Sequence, residues 1–130
     1  MKRVAFLCVE NSNRSQMAEA LARLHGGDWL EAYSAGSHPS GRVNPLAHEA
    51  MRELGYDLSS HRSKGIDELP DVPFDVAVTM GCGDSCATLR AARHEDWSIP
   101  DPKHLPTDQF RAVRDRIASH VKELLTQLKG

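Results

Sequence analysis

The first two dozen residues contain an apolar run, a polar loop and a helical repeat, and this order restricts the fold more than any other feature. The run 4–7 is apolar and bounded, as in a buried parallel strand. After the loop 8–15, apolar residues return at helical spacing at Met17, Ala18, Leu21 and Leu24. Because strands followed by helices build parallel sheets, the start of the chain predicts an α/β fold.

The same alternation continues to the end of the chain. Further strands are predicted at 29–33, 74–80 and, as a short piece, 97–99. Asn44, followed by proline, predicts the start of a second helix, and Thr107 is expected to cap the last one. We therefore predict a single domain over residues 1–130, an α/β fold with a four-stranded parallel sheet and helices on both faces. Ligands of such sheets bind beyond the carboxyl ends of the strands, where the strand order reverses.

Composition excludes several classes of function. The 130 residues carry a formal net charge of −2, and without a basic excess no nucleic-acid partner is expected. No segment is apolar over a membrane-spanning length, and the first apolar run ends at Glu10, too early for a signal peptide. We expect a cytoplasmic monomer without a membrane partner. Three cysteines, an odd number, favour thiol chemistry over a disulfide framework.

The loop 8–15 is predicted to form a socket for a tetrahedral oxyanion. It ends at a helix N-terminus, where unpaired N–H groups and the helix dipole attract anions. Arg14 adds a planar, permanently charged fork for two oxygens of the anion. These positive groups favour the thiolate form of Cys8, the expected nucleophile, and Ser15 can donate a hydrogen bond to it. A buried structural cysteine is the alternative, but the flanking strand, helix and serine favour the socket.

Two more cysteines follow the predicted third strand, and Cys82 lies two residues past its end. If the first and third strands are neighbours, their backbones run about 4.8 Å apart. A disulfide requires Cα atoms within roughly 7 Å of each other. Cys82 is therefore placed to reach Cys8 after some movement of its loop.

The segment from Cys8 to Glu19 closely resembles the phosphate-loop signature of the thiol-coupled arsenate reductases, which share the fold of the low-molecular-weight protein tyrosine phosphatases. The resemblance extends over nearly the whole chain, through Tyr33-Ser34-Ala35-Gly36, Asn44-Pro45, Val78-Thr79-Met80, Trp97 and Asp101-Pro102. It implies reduction of arsenate to arsenite for arsenic detoxification. It also implies an external thiol reductant, thioredoxin or a low-molecular-weight thiol, and neither a metal nor an organic cofactor.

The resemblance also implies a role for each site residue. The Cys8 thiolate would attack arsenic(V), and Asp101 would protonate the leaving oxygen. Cys82 would then attack the Cys8 sulfur and release arsenite, and Cys86 would attack Cys82. The oxyanion would be held by the loop residues Val9, Glu10, Asn11, Ser12, Asn13, Arg14 and Ser15. Since Asp-Pro alone is a common turn pair, the role of Asp101 depends on the resemblance.

Five residues are expected to brace the loop: Asn11, Ser15, Glu19, Ser34 and Lys64. Some relatives bind potassium near the residues that match Asn11, Glu19 and Ser34, with an aspartate completing the site. Lys64 stands at the aspartate position, so its ammonium is expected to replace the cation and pair with Glu19. We therefore predict no metal site and no potassium requirement.

The chain departs from the related loops at two positions. Glu10 replaces a frequent glycine, and its carboxylate is expected to point away from the anion. Asn13 replaces a frequent cysteine and so removes a competing thiol. Cys82 and Cys86 are separated by only three residues, so Cys86 is either the third thiol of a relay or a spare.

Two other functions compete with the reductase. A low-molecular-weight tyrosine phosphatase would use Cys8, Arg14 and Asp101, but such phosphatases usually carry tyrosine where Lys103 stands. Weak phosphatase activity is expected in either case.

A metal-binding module could use Cys82 and Cys86, whose spacing suits zinc, with some of the seven histidines. No second cysteine or histidine pair follows at finger-like spacing, and the histidines are expected at the surface.

Overall fold

The computed structural model describes residues 1–81 and 89–129. The elements follow in the order β1 (Lys2–Cys8), α1 (Arg14–Gly26), β2 (Leu30–Gly36), α2 (Pro45–Arg52), β3 (Phe74–Thr79), β4 (Ala91–Asp96) and α3 (Thr107–Lys129). Short 3₁₀ helices occupy Gly27–Trp29 and Ile66–Glu68. The alternation of strands and helices predicted from the sequence is therefore present.

The four strands form one parallel sheet, as predicted, and their order in it is β2-β1-β3-β4. β1 lies inside the sheet, with Cys8 in register with Gly36 on one side and Leu7 with Thr79 on the other. The first and third strands are therefore neighbours, which is the condition on which the predicted approach of Cys82 to Cys8 depends. β2 lies on one side of β1 and β3 lies on the other, so the strand order reverses at β1, and Cys8 lies at the carboxyl end of that strand.

Each face of the sheet has its own apolar cluster. Val4 and Phe6 face α1, α2 and α3, which pack together on one side as the larger core. Ala5 and Leu7 face the other side, where the 3₁₀ helix at Ile66–Glu68 and its flanking residues cover a smaller cluster. Burial of both faces explains why β1 and β3 are apolar runs rather than alternating sequences. Among the helices of residues 1–81 and 89–129, none is long and apolar enough to cross a membrane.

Two sequence predictions need correction. The fourth strand is Ala91–Asp96, not 97–99. It lies at the sheet edge with mostly exposed side chains, so apolar periodicity does not reveal it. Trp97 and Ile99 come directly after this strand, and their apolar side chains are buried in the core. Thr107 is the first residue of α3 rather than its cap, and the Phe110 N–H donates to the Pro106 carbonyl.

Candidate active site

Cys8 ends β1 at the carboxyl edge of the sheet, where the chain turns into the loop that leads to α1. Its side chain is buried, and its Sγ lies 2.8 Å from the Ser15 Oγ in the first turn of α1. The position of the sulfur is thus set by the end of β1, and α1 places the Ser15 hydroxyl next to it. A serine hydroxyl at this distance can donate a hydrogen bond to a thiolate.

The loop after Cys8 is held by its carbonyl groups. The carbonyls of Cys8, Val9, Glu10 and Ser12 accept hydrogen bonds of 2.7–3.2 Å from N–H groups in the segment 37–44. Asn11 allows the tight turn by adopting a positive φ of 52°, a conformation that asparagine tolerates better than most residues. Because these carbonyl groups point toward the segment 37–44, the N–H groups of the loop can face the opposite side, where an anion would bind.

Arg14, the first residue of α1, is buried at 7% exposure against the end of the sheet. Its Nη1 donates to the Ile99 carbonyl at 3.1 Å, and its Nη2 lies 3.9 Å from the Asp101 Oδ2. Gly81 follows β3 with a φ of +87°, and a Cβ there would lie 2.4 Å from Nη1. Glycine at position 81 therefore leaves the room that the guanidinium occupies.

A small pocket joins three of the predicted catalytic residues. It is lined by Cys8, Glu10, Ser12, Asn13, Arg14 and Asp101. Asp101 has a side chain that is 49% exposed, at the outer wall of the pocket. Its Oδ1 accepts a hydrogen bond from the Lys103 N–H at 3.1 Å, which orients the carboxyl group. The pocket thus holds a thiol, a guanidinium and a carboxyl group around one space.

The Glu10 carboxylate is bound by the Lys103 ammonium, with Nζ lying 2.9 Å from Oε2 and 3.3 Å from Oε1. The hydrogen bond that Lys103 donates to Glu10, and the negative charge of Glu10, raise the pKa of Lys103. The Glu10 carboxylate was expected to point away from the anion, and although it pairs with Lys103, Glu10 is one of the residues that line the pocket. This salt bridge was not predicted from the sequence, because Glu10 and Lys103 are 93 positions apart.

All five predicted bracing residues meet beneath the loop. The Asn11 Nδ2 donates to the Oγ atoms of Ser15 and Ser34, at 2.7 and 3.0 Å. Ser34 donates to the Glu19 Oε1 at 2.5 Å, and the Lys64 Nζ lies 4.0 Å from the same oxygen. Burial lowers the pKa of Lys64, and the nearby Glu19 carboxylate opposes this. The expected pairing of Lys64 with Glu19 is present at the limit of ion-pair distance.

A second group of polar residues extends this network and was not predicted. The Gln16 Nε2 donates to the Asn11 Oδ1 at 2.9 Å, and the Gln16 Oε1 lies 2.9 Å from the His61 Nδ1. The Tyr56 hydroxyl lies 2.8 Å from the His61 Nε2. The sequence placed His61 in an exposed loop, whereas its side chain is only 3% exposed. A histidine within a polar segment gives no sequence signal that it is buried against a helix.

His61 is expected to make folding stability depend on pH. Burial lowers the pKa of its imidazole, although Glu19 at 3.8 Å opposes the shift. As the pH falls below about 6.5, the unfolded chain therefore takes up the proton first, and the free energy of unfolding should decrease until the folded pKa is passed. One such proton changes stability by at most about 1.4 kcal/mol per pH unit.

Urea unfolding of the wild type and His61→Gln between pH 5 and 7.5 measures this contribution. We expect the variant to show a smaller loss of stability over that range. His104→Gln, at an exposed histidine, is the matched control and should behave like the wild type. An unchanged pH profile in His61→Gln would contradict the assignment.

Cys82 and Cys86 lie outside the described residues, so their predicted roles stay predictions. The described chain reaches Gly81 beside Arg14, and Cys82 follows it in the sequence. Within the described parts of the chain, no group of three or more histidine, cysteine or acidic side chains could hold a metal ion.

Comparison with known proteins gives consistent matches. The family model of the low molecular weight phosphotyrosine protein phosphatases matches residues 3–130. Arsenate reductase 2 of Staphylococcus epidermidis is 38% identical over 130 residues, covering 97% of this chain and 98% of the relative. The glutaredoxin arsenate reductase of Synechocystis is 34% identical, covering 98% and 99%. A solved structure of an arsenate reductase in the phosphate binding state superposes with a TM-score of 0.86, 34% identity and 98% coverage of both chains.

Proposed function

The chain belongs to the low molecular weight phosphotyrosine protein phosphatase family, and within that family we propose that it is an arsenate reductase that converts arsenate to arsenite. The observation that carries the proposal is the pocket in which Cys8 lies with Arg14 and Asp101 at the switch point of the sheet. Similarity to proteins named arsenate reductases along nearly their whole length supports the choice of reaction. The proposed role would be arsenic detoxification.

Arsenate would bind in the loop as a tetrahedral anion. N–H groups of residues 9–15 would surround its oxygens, since the loop carbonyls are engaged by the segment 37–44. Arg14 is held by the Ile99 carbonyl and can present its remaining N–H groups as a rigid fork. The N-terminus of α1 adds its partial positive charge. The site would thus be organised before the anion arrives.

In the first step the Cys8 thiolate would attack arsenic and form a sulfur–arsenic bond. Ser15, 2.8 Å from the sulfur, would stabilise the thiolate by donating its hydroxyl hydrogen. Asp101 would transfer a proton to the leaving oxygen, which departs as water. The position of Asp101 at the outer wall of the pocket, near Arg14, suits this role.

In the second step the Cys82 thiolate would attack the Cys8 sulfur. A disulfide forms, the sulfur–arsenic bond breaks, and its electron pair stays on arsenic, which leaves as arsenite. Cys86 would then attack Cys82, so that the disulfide moves to the Cys82–Cys86 pair and Cys8 returns to the thiol. Two thiols are oxidised for each arsenic(V) reduced to arsenic(III).

An external thiol would complete the cycle by reducing the final disulfide. We propose thioredoxin or a low-molecular-weight thiol as the donor, and the name of the Synechocystis relative adds glutaredoxin to the candidates. The reaction as written needs no metal or organic cofactor. A reducing compartment keeps such thiols available, so we propose that the protein is cytoplasmic. We also propose that it is a monomer and that it has no nucleic-acid or membrane partner.

The test is arsenate-dependent oxidation of the reductant, run separately with thioredoxin, glutaredoxin and small thiols. Cys8→Ser and Cys82→Ser should each lose turnover, whereas hydrolysis of p-nitrophenyl phosphate should survive in Cys82→Ser. Loss of activity in Cys86→Ser with thioredoxin would establish the third thiol of the relay. Full arsenate reduction without Cys82 would overturn the mechanism.

The family match also favours a second candidate, a phosphatase that uses Cys8, Arg14 and Asp101. The same pocket could accept a phosphoryl group, with Asp101 protonating the leaving alcohol. Some phosphatase activity is therefore expected as a side reaction. Efficient phosphate ester hydrolysis together with no arsenate-dependent turnover would select this candidate instead.

Activity is expected to be equal in potassium and sodium buffers. The Lys64 ammonium lies 4.0 Å from one oxygen of the Glu19 carboxylate, and the Arg23 guanidinium lies 2.5 Å from the other, so positive charge already faces Glu19. Arsenate reduction should be measured in both salts at constant ionic strength, because screening alone changes the binding of an anion. Lys64→Met should lower activity in both salts. Strong potassium activation of the wild type would contradict the proposed replacement of a cation by Lys64.

A further inference from the structure

The salt bridge between Glu10 and Lys103 links two segments that enclose the pocket. Glu10 lies in the oxyanion loop, and Lys103 lies two residues beyond Asp101. The ammonium contacts both carboxylate oxygens, at 2.9 and 3.3 Å. The Lys103 N–H also binds the Asp101 Oδ1 at 3.1 Å, so Lys103 contacts both the outer wall and the loop.

The bridge stands beside the opening of the pocket. Glu10 and Asp101 both line the space that contains Cys8 and Arg14. The side chains of the bridge are partly solvent-exposed, at 34% for Glu10 and 44% for Lys103, whereas the side chain of Arg14 is only 9% exposed. The exposed part of the pocket lining is therefore at Glu10 and Asp101, and a group attached to a bound oxyanion would extend toward solvent on that side.

We propose that the Glu10–Lys103 bridge determines specificity by narrowing the mouth of the pocket, so that it admits a compact inorganic oxyanion and disfavours an aryl phosphate ester. This proposal rests on the proposed function only in assuming that the pocket binds oxyanions. It assigns Glu10 and Lys103 to substrate selection, and neither takes part in bond making or breaking.

The charges of the bridge explain why both residues are needed. A carboxylate at the edge of an anion site would repel the substrate, and the Lys103 ammonium cancels that charge at 2.9 Å. Removing Lys103 therefore exposes the negative charge, and removing Glu10 exposes the positive one. The shape of the mouth changes in both cases, whereas the electrostatic effect on an anion has opposite signs.

Binding to Cys8 can be measured without any turnover. In a Cys82→Ser/Cys86→Ser background Cys8 is the only cysteine, because the chain has three. Protection of Cys8 from alkylation by iodoacetamide then gives apparent Kd values for inorganic phosphate and for phenyl phosphate. Both ligands are anions of similar charge, so the ratio of their Kd values reports the fit of the phenyl group.

Glu10→Ala, Lys103→Met and the double variant should each shift this ratio about tenfold toward phenyl phosphate, the size that a change in pocket shape gives. The Kd for phosphate should rise about threefold in Lys103→Met and fall in Glu10→Ala, and the double variant should return near the wild type. High salt should reduce these charge effects and leave the ratio shifted.

Arg111→Met is the matched control, since it breaks another exposed bidentate bridge, to Glu53, that lines no part of this pocket. It should leave both Kd values unchanged. An unaltered ratio in all three bridge variants would overturn the proposal. If phosphate gave no protection in the background protein, the oxyanion site of the proposed function would fail instead, and the two failures are therefore distinguishable.

Discussion

Arg14→Lys is expected to lower kcat/KM for arsenate reduction by about 10²–10³-fold, the usual effect of losing one oriented donor to a developing oxyanion. Arg14 is fixed by its bond to the Ile99 carbonyl and fills the space that Gly81 leaves open. Lysine has a single point charge and cannot hold this carbonyl while offering two parallel donors to the anion. The charge is conserved, so the loss would come from geometry.

The variant should be compared with Arg93→Lys. Arg93 is an exposed residue of the edge strand β4, where it pairs with Glu95 of the same strand and with Gln127 of α3. We expect wild-type kinetics from this control. Urea unfolding of both proteins separates a loss of catalysis from a loss of folded protein. Wild-type kcat/KM in Arg14→Lys would mean that the planar fork is not used in the transition state.

The elements that hold the pocket were predictable because each has a local pattern with a direct physical cause. β1 and β3 are apolar runs because both faces of the sheet are covered. The position of Cys8 then follows from topology, since ligands bind beyond the carboxyl ends of parallel strands. β4 lacks such a pattern because an edge strand with exposed side chains needs no apolar periodicity.

Contacts between distant polar residues were predictable only where a resemblance supplied them. The cluster of Asn11, Glu19, Ser34 and Lys64 was expected on that basis, and the structure brings these residues together. The burial of His61 and the Glu10–Lys103 bridge had no such guide. Polar residues carry no periodicity that shows which side chain they will meet, so tertiary structure was needed to find them.

Gly36→Ala is expected to reduce arsenate reduction about 100-fold, because small displacements of positioned groups can cost that much. Gly36 ends β2 in register with Cys8, and a Cβ there would lie 2.5 Å from the Val9 carbonyl oxygen and 2.9 Å from the Asn11 nitrogen. Both atoms belong to the backbone of the oxyanion loop, so the loop itself would have to move. Overpacking of this kind also destabilises a protein by about 1–3 kcal/mol.

Gly26→Ala, at the last residue of α1, provides a control near the opposite end of β2. Its Cβ would lie 2.6 Å from the Cδ2 of Leu30, the first residue of β2, and a side-chain terminus can yield where a backbone cannot. Both substitutions add one methyl group at a crowded position, so both should lower the urea midpoint. Only Gly36→Ala should lose activity per folded molecule and weaken phosphate protection of Cys8. Equal activity in the two variants would show that the loop tolerates displacement, and the prearranged anion site would then not be the main source of the rate.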